Sequence, residues 1–337
     1  MDAGLVFLCG FPSSGTDLLK NVMNAHPDVR INGEFPFLHH LGRTYGPTVA
    51  GERAQEVIAA LRHLDVYHNF SNPNPDLSPV RDEYSLAEIY GAMLTDEPRR
   101  WLGNKTPQNT EHIDTLRGLF PRAKFILIIR DVRDVALSWS GKWGKSKVLC
   151  AHKWNARMLK GARLLQEIEP DDFLLIKYEA LLMDLKGTAQ KICEFLRIDY
   201  RASLEEFHKT VHHIVDGKVN YGRPLIKDNS NKWMTGLSLK QIRRIEEVAF
   251  QALHAFDYPI TVAVKQRPIS RWEKYSGYAW DVLALVVIGN RAIEGNTFLD
   301  RWKTIVFEIR KLFSHLLQRV PMRYLDTLKL RGARATK

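Results

Sequence analysis

Cysteine is scarce in this chain. Cys9, Cys150 and Cys193 are odd in number and far apart, and no CxxC pair occurs among the 337 residues. A disulfide framework and a thiolate zinc site are both excluded, and a reducing compartment fits best. Long apolar runs are missing too. The longest, residues 282–288, falls far short of the roughly 20 residues that cross a bilayer. No signal-peptide pattern precedes the first apolar run, so the expected location is the cytoplasm, with at most peripheral contact with a membrane. No internal repeat is present. An acidic excess is lacking: the net charge is +11. That charge is uneven, because residues 261–337 carry 15 Lys and Arg against 6 Asp and Glu and leave the first 260 residues nearly balanced. With no nucleic-acid motif beside it, this basic tail gives no reason to expect a nucleic-acid partner.

What is present is an ordinary core composition, 45% hydrophobic, in a pattern that alternates strand and helix signals. Apolar runs at residues 5–9, 124–129 and 172–178, and the stretch from Trp101 to Lys105, read as strands. Helical spacing occurs at residues 18–23, 153–167, 188–196 and 239–256. Such alternation predicts an α/β fold, a P-loop-type, mostly parallel sheet flanked by helices. Residues 41–100 are the least regular. A helix is expected near residues 54–64, and the Pro- and Asn-rich stretch 69–79 has the length of a lid or binding loop. In the tail, Phe298, Trp302, Ile305, Ile309, Leu312 and Leu316 share one helical face with cations largely elsewhere. The expected division is therefore a main domain over residues 1–260 and a helical C-terminal extension over 261–337. That basic amphipathic extension suits an anionic membrane surface, packing on the body, or a homodimer.

The chemistry gathers at strand ends. Gly10 and Gly15 bracket a turn between the first strand and first helix, where the backbone amides of Ser14, Gly15, Thr16, Asp17 and Leu18 can converge on an anion. The spacing is that of a Walker A loop, but Thr16 and Asp17 stand where the lysine and hydroxyl should be. This loop is expected to hold phosphate with no metal. It reads equally as a tightly packed corner. Lys105 ends one predicted strand and Arg130 ends the most apolar one, with Ser138 two helical turns further on. Ligands of open parallel sheets bind at this edge. Glu34 comes after a glycine on an irregular segment between aromatic residues and suits a general base. Standing alone it reads as a solvated loop carboxylate, and Arg130 reads also as an i,i+4 partner of Asp134. Arg223, Lys227 and Lys232 mark a polar segment as an anion clamp anchored by Trp233.

Taken in order, these pieces resemble the sulfotransferases that use 3′-phosphoadenosine 5′-phosphosulfate (PAPS). Residues 10–19 resemble that family's phosphosulfate loop and residues 125–138 its 3′-phosphate motif. Residues 25–30 with Gly33 and Glu34 after them, and later Asn104 and Lys105, are similar to the tyrosylprotein and bacterial branches. The likeness covers roughly residues 5–40 and 100–256. It implies that Glu34 is the catalytic base and that Lys105 stabilises charge on the sulfuryl group and leaving phosphate. It implies further that Ser13, Ser14, Gly15, Thr16, Asp17 and Leu18 hold the phosphosulfate, that Arg130 and Ser138 grip the 3′-phosphate, and that Lys227 belongs to a segment closing over the nucleotide. The co-substrate would be PAPS, the product adenosine 3′,5′-bisphosphate, and no metal would take part.

Two residues depart from that pattern. Ser13 stands where a Lys or Arg usually comes after the loop proline, and Asp17 where a second hydroxyl is usual. An anionic side chain beside phosphate is unfavourable unless it turns away. The acceptor, a hydroxyl on a glycolipid, saccharide, peptide or small molecule, has no motif in this chain. A P-loop small-molecule kinase and a non-catalytic nucleotide- or membrane-binding module are the competing readings. Magnesium dependence would mark the first, and PAPS binding without transfer the second.

Overall fold

Strand β1 (Gly4–Gly10) is buried from Leu5 onward, as an apolar run with no polar face must be. The computed structural model describes residues 3–287 apart from residues 66, 79–80, 96, 211–214, 217–218 and 221–223. Arg223 and the amphipathic run around Phe298 and Trp302 lie outside the described residues. After β1 come α1 (Thr16–Asn24) and β2 (Val29–Asn32). The chain then makes an excursion, in which β3 (Thr48–Ala50) and β4 (Glu83–Ser85) pair antiparallel around α2 (Ala54–Leu64), with α3 (Leu86–Leu94) behind them. It returns through β5 (Trp101–Lys105), α4 (Ile113–Leu119), β6 (Lys124–Ile129), α5 (Val132–Trp143), α6 (Lys147–Glu167) and β7 (Phe173–Lys177). It continues into α7 (Tyr178–Met183), α8 (Leu185–Leu196), α9 (Trp233–Gly236), α10 (Leu239–Ala255) and α11 (Arg271–Val287).

The five-stranded sheet has the order β2-β5-β1-β6-β7, and each neighbouring pair is parallel. Side chains alternate across it. Leu5, Phe7, Cys9, Phe125, Leu127 and Ile129 face a core shared with α2, α3, α4, α6 and α10. Val6, Leu8, Ile126 and Ile128 face the other layer, with α1, α7 and α8. Burying each Phe or Leu of these two strands contributes about 1.5–3 kcal/mol, so the central strands are held on both faces. The fold class expected from the alternation is the one found.

Among the elements not anticipated, two bear on the site. β2 is a short edge strand with Arg30 exposed, too brief to show a period. α3 opens on a capping box in which Ser85 accepts from the Glu88 amide and Glu88 from the Ser85 amide.

A buried charge cluster ties α5 to the C-terminal layers. Arg133, fully buried, donates to Asp131 (Nη2–Oδ2 2.6 Å) and to Glu246 on α10 (Nη1–Oε1 2.7 Å). Its guanidinium also lies 3.8 Å from the centre of the Trp233 ring. Glu246 accepts in turn from the amides of Thr261, Val262 and Ala263 at 2.8–3.0 Å. Every charge in this group has a partner, as burial demands.

Candidate active site

The strand register sets the geometry. Leu8 lies beside Lys105, Asn32 beside Asn104, Gly10 beside Ile128 and Ile129 beside Lys177. The five carboxyl ends therefore form one edge. Along it, in spatial order, stand Glu34 after β2, Lys105 on β5, the glycine loop after β1, Arg130 after β6 and Tyr178 after β7. The edge spans the point where successive strands pass from one side of β1 to the other, the usual ligand crevice of such sheets.

The loop between β1 and α1 is built by two left-handed residues, Ser13 (φ 69°) and Gly15 (φ 90°). Gly15 has no substitute, since a Cβ there would stand 2.3 Å from the Tyr178 ring. The Ser14 amide closes the turn on the Phe11 carbonyl (3.1 Å), and the first helical bond runs from Leu19 N–H to Gly15 O (3.0 Å). The amides of Gly15, Thr16, Asp17 and Leu18 precede that bond and have no helical partner. Ser14 brings its hydroxyl rather than its amide. Among the described residues, the buried atoms Ser13 Oγ, Ser14 Oγ and Arg130 Nε find no hydrogen-bond partner. Hydroxyls and a guanidinium in that condition beside helix-start amides suit the oxygens of a phosphate group.

At the β5 end, Lys105 is almost wholly buried, with Nζ 2.8 Å from Glu34 Oε1 and 3.0 Å from Asp17 Oδ1. Burial pulls this ammonium down, but the two carboxylates outweigh it and hold its pKa above the ordinary lysine value. Asp17 has turned toward a cation, away from the direct repulsion its position threatened. The Glu34 side chain is 33% exposed and so open to a proton donor. Its backbone is fixed on both sides: Asn69 Nδ2 donates to the Glu34 carbonyl (2.8 Å), and the Phe35 amide donates to Thr106 Oγ1 (2.8 Å). Thr106 in turn donates to Asn104 Oδ1 (2.8 Å), whose amide nitrogen donates to Tyr90 (2.6 Å). Beyond Glu34, His39 stacks on His112, with ring centres 3.5 Å apart and planes within 4°. Burial, reinforced by His112, His40 and Arg43, pushes the His39 pKa down to about 3.

Arg130 spans two segments. Nη1 donates to the Ser13 carbonyl (3.3 Å), Nη2 to the Asn229 carbonyl (2.7 Å), and the guanidinium lies over the Tyr178 ring (4.4 Å). Asp134 is 3.7 Å from it but accepts better bonds from the amides of Asn231 (2.7 Å) and Trp233 (2.9 Å). Burial raises the Asp134 pKa against the pull of Arg130. Ser138 is half-buried two turns along α5, while Lys227 and Lys232 are exposed on the segment that presents Asn229. Among the described residues no group of His, Cys, Asp and Glu is placed to hold a metal ion.

Sequence reasoning missed four residues that position this site: Asn69, Thr106, Tyr178 and Asn229. Thr106 and Tyr178 come at predicted strand ends, Asn69 opens the stretch read as a lid or binding loop, and Asn229 lies in the polar segment read as an anion clamp.

A model of the sulfotransferase family matches residues 6–202. A protein-tyrosine sulfotransferase of Drosophila melanogaster is 22% identical over 73% of this chain. Protein-tyrosine sulfotransferase 1 of Danio rerio is 27% identical over 59%. The matches cover 50% of the fly protein and 54% of the fish protein, so the chain spans about half the length of these relatives. Among solved structures, the sulfotransferase domain of the Synechococcus PCC 7002 olefin synthase superposes with a TM-score of 0.51 at 19% identity. It covers 77% of this chain and 97% of that one. This last likeness concerns the fold alone.

Proposed function

The chain belongs to the sulfotransferase family, and on that premise we propose that it moves the sulfuryl group of PAPS to a hydroxyl acceptor by in-line transfer. The observation that carries the reading is the order of groups along the sheet edge, with carboxylate, ammonium, amide cradle and guanidinium in one row. PAPS, when bound, supplies an activated sulfuryl group on a phosphate leaving group. Glu34 takes the proton from the acceptor hydroxyl as its oxygen bonds to sulfur, and the sulfur–oxygen bond to the phosphate breaks. Lys105 and the amides of Gly15, Thr16, Asp17 and Leu18 stabilise the negative charge that gathers on the departing oxygen. Arg130 and Ser138 hold the 3′-phosphate at the other end. We assign the transfer chemistry to residues 1–260 and treat residues 261–337 as an extension whose first residues, 261–263, close the Arg133 seam. Because two relatives are named for action on protein tyrosine, a tyrosine peptide is the first acceptor to try.

Two measurements test this reading. In calorimetry the chain should bind adenosine 3′,5′-bisphosphate far more tightly than adenosine 5′-monophosphate; equal affinities would refute the donor assignment. With radiolabelled PAPS and a panel of tyrosine peptides, phenols and saccharides, Glu34→Gln should lower transfer roughly 100- to 10,000-fold and leave bisphosphate binding intact. Undiminished transfer in that variant removes Glu34 from the mechanism.

A further inference from the structure

An aspartate in the middle of an anion cradle needs an explanation, and its two neighbours supply one. Asp17 Oδ1 is 3.0 Å from Lys105 Nζ and 3.8 Å from Lys20 Nζ. Lys20 lies one turn along α1 with its side chain only 14% exposed. Lys105 has a second carboxylate, Glu34, at 2.8 Å. One aspartate thus sits between two cations, one facing the candidate reaction centre and the other on the flank of the helix.

We propose that Asp17 and Lys20 form a charge switch for donor entry: Asp17 holds Lys105 before the donor binds and passes to Lys20 when phosphosulfate oxygens take Lys105. The inference rests on the donor reading above. Asp17 acts in it as a placeholder anion on Lys105, and both act as positioning residues. Lys20 then supplies from the helix the second cation that Ser13 fails to supply from the loop. Without Lys20 the displaced carboxylate would face the phosphate unneutralised, and like charges this close repel strongly where water is partly excluded. The state of Lys20 agrees: burial pulls its pKa down, Asp17 pulls it up, and Lys105 lowers it. Its ammonium therefore gains when Lys105 turns from Asp17 to the donor.

The test is a double-mutant cycle read by calorimetry with adenosine 3′,5′-bisphosphate on the full chain, and it needs no acceptor. Lys20→Gln should weaken binding roughly tenfold, and Asp17→Asn should tighten it severalfold. In the Asp17→Asn background, Lys20→Gln should change affinity by less than about twofold. Lys20→Arg should restore wild-type affinity. Equal weakening by Lys20→Gln in both backgrounds would show that Lys20 acts on the donor or the fold directly and would overturn the switch. Should Lys20→Gln fail to fold, Asp17→Asn alone decides, since unchanged or weaker binding there also overturns it. A wild-type chain that binds no bisphosphate removes the donor reading and the switch together, whereas binding with additive variants removes the switch alone.

Discussion

Arg130 and Arg133 leave the same strand end and enter opposite kinds of environment. Around Arg133 the seam between α5, α10 and the segment after it is closed, with every donor facing a carboxylate, a hydroxyl or the Trp233 ring. Around Arg130 the sheet edge is open. That guanidinium has two backbone carbonyls, a carboxylate at 3.7 Å and a buried Nε with no partner among the described residues. The contrast separates charges that complete the fold from charges left open at the edge where the proposed donor would sit. A buried cation is tolerated only when paired, so an incompletely paired one beside free amides marks where an anion belongs.

Removing the saturated arginine should do the most damage. Arg133→Met would strand Asp131 and Glu246 as buried carboxylates, a loss of about 3–5 kcal/mol from a total that is usually 5–15 kcal/mol. Urea unfolding should show it as a lower midpoint. A loss below about 1 kcal/mol would mean that the seam is held by packing instead. Arg130→Ala should act the other way round. Adenosine 3′,5′-bisphosphate affinity should fall about 100-fold, near 2.7 kcal/mol, while stability drops by only about 1–2 kcal/mol for the two carbonyl contacts. If stability fell as far as in Arg133→Met with affinity intact, the two arginines would have exchanged roles.

Much of the open edge was legible in the sequence because its parts are local. An unbroken apolar run gives β6, and the residue that ends it must lie at the sheet edge; that is Arg130. The pair Gly10 and Gly15 gives the turn, and Asn104-Lys105 closes another strand. Glu34 stood out only through its family likeness, since a glycine and two aromatic residues give a carboxylate no distinct role. The seam was not legible at all. Arg133 meets Glu246 across more than a hundred residues of sequence, and no periodicity encodes that meeting. The same holds for Asn69 against Glu34 and for Asn229 against Tyr178. The turn of Asp17 toward Lys105 depends on β5 lying beside β1, a matter of sheet order that alternation alone does not fix. α3 was readable from its capping box, but the Pro- and Asn-rich stretch before it masked the signal.

A third region differs from both arginine environments, because it stacks ionisable rings on one another. His39 packs on His112 (3.5 Å between ring centres) and on His40 (4.3 Å), with Arg43 near His39 and Arg157, Lys160 and Glu111 around His112. Glu111 favours a protonated His112 and the Pro36 carbonyl a protonated His39. Burial first, then His112, His40 and Arg43, pushes His39 down to about 3, against roughly 6.5 in an unfolded chain. A group whose folded pKa is depressed binds fewer protons in the native state. Its contribution is therefore present above pH 6.5 and is lost as pH falls from there toward 3. The carboxylates elsewhere titrate in wild type and variant alike, so a difference in slopes isolates the histidine. Between pH 7 and pH 4 the wild-type chain should lose about 1–2 kcal/mol more stability than His39→Gln, allowing for partial solvent screening of a half-buried ring. Parallel stability curves would show that the stack stays neutral for another reason or opens before it titrates, and that the β2 side of the edge is held by something other than uncharged packing.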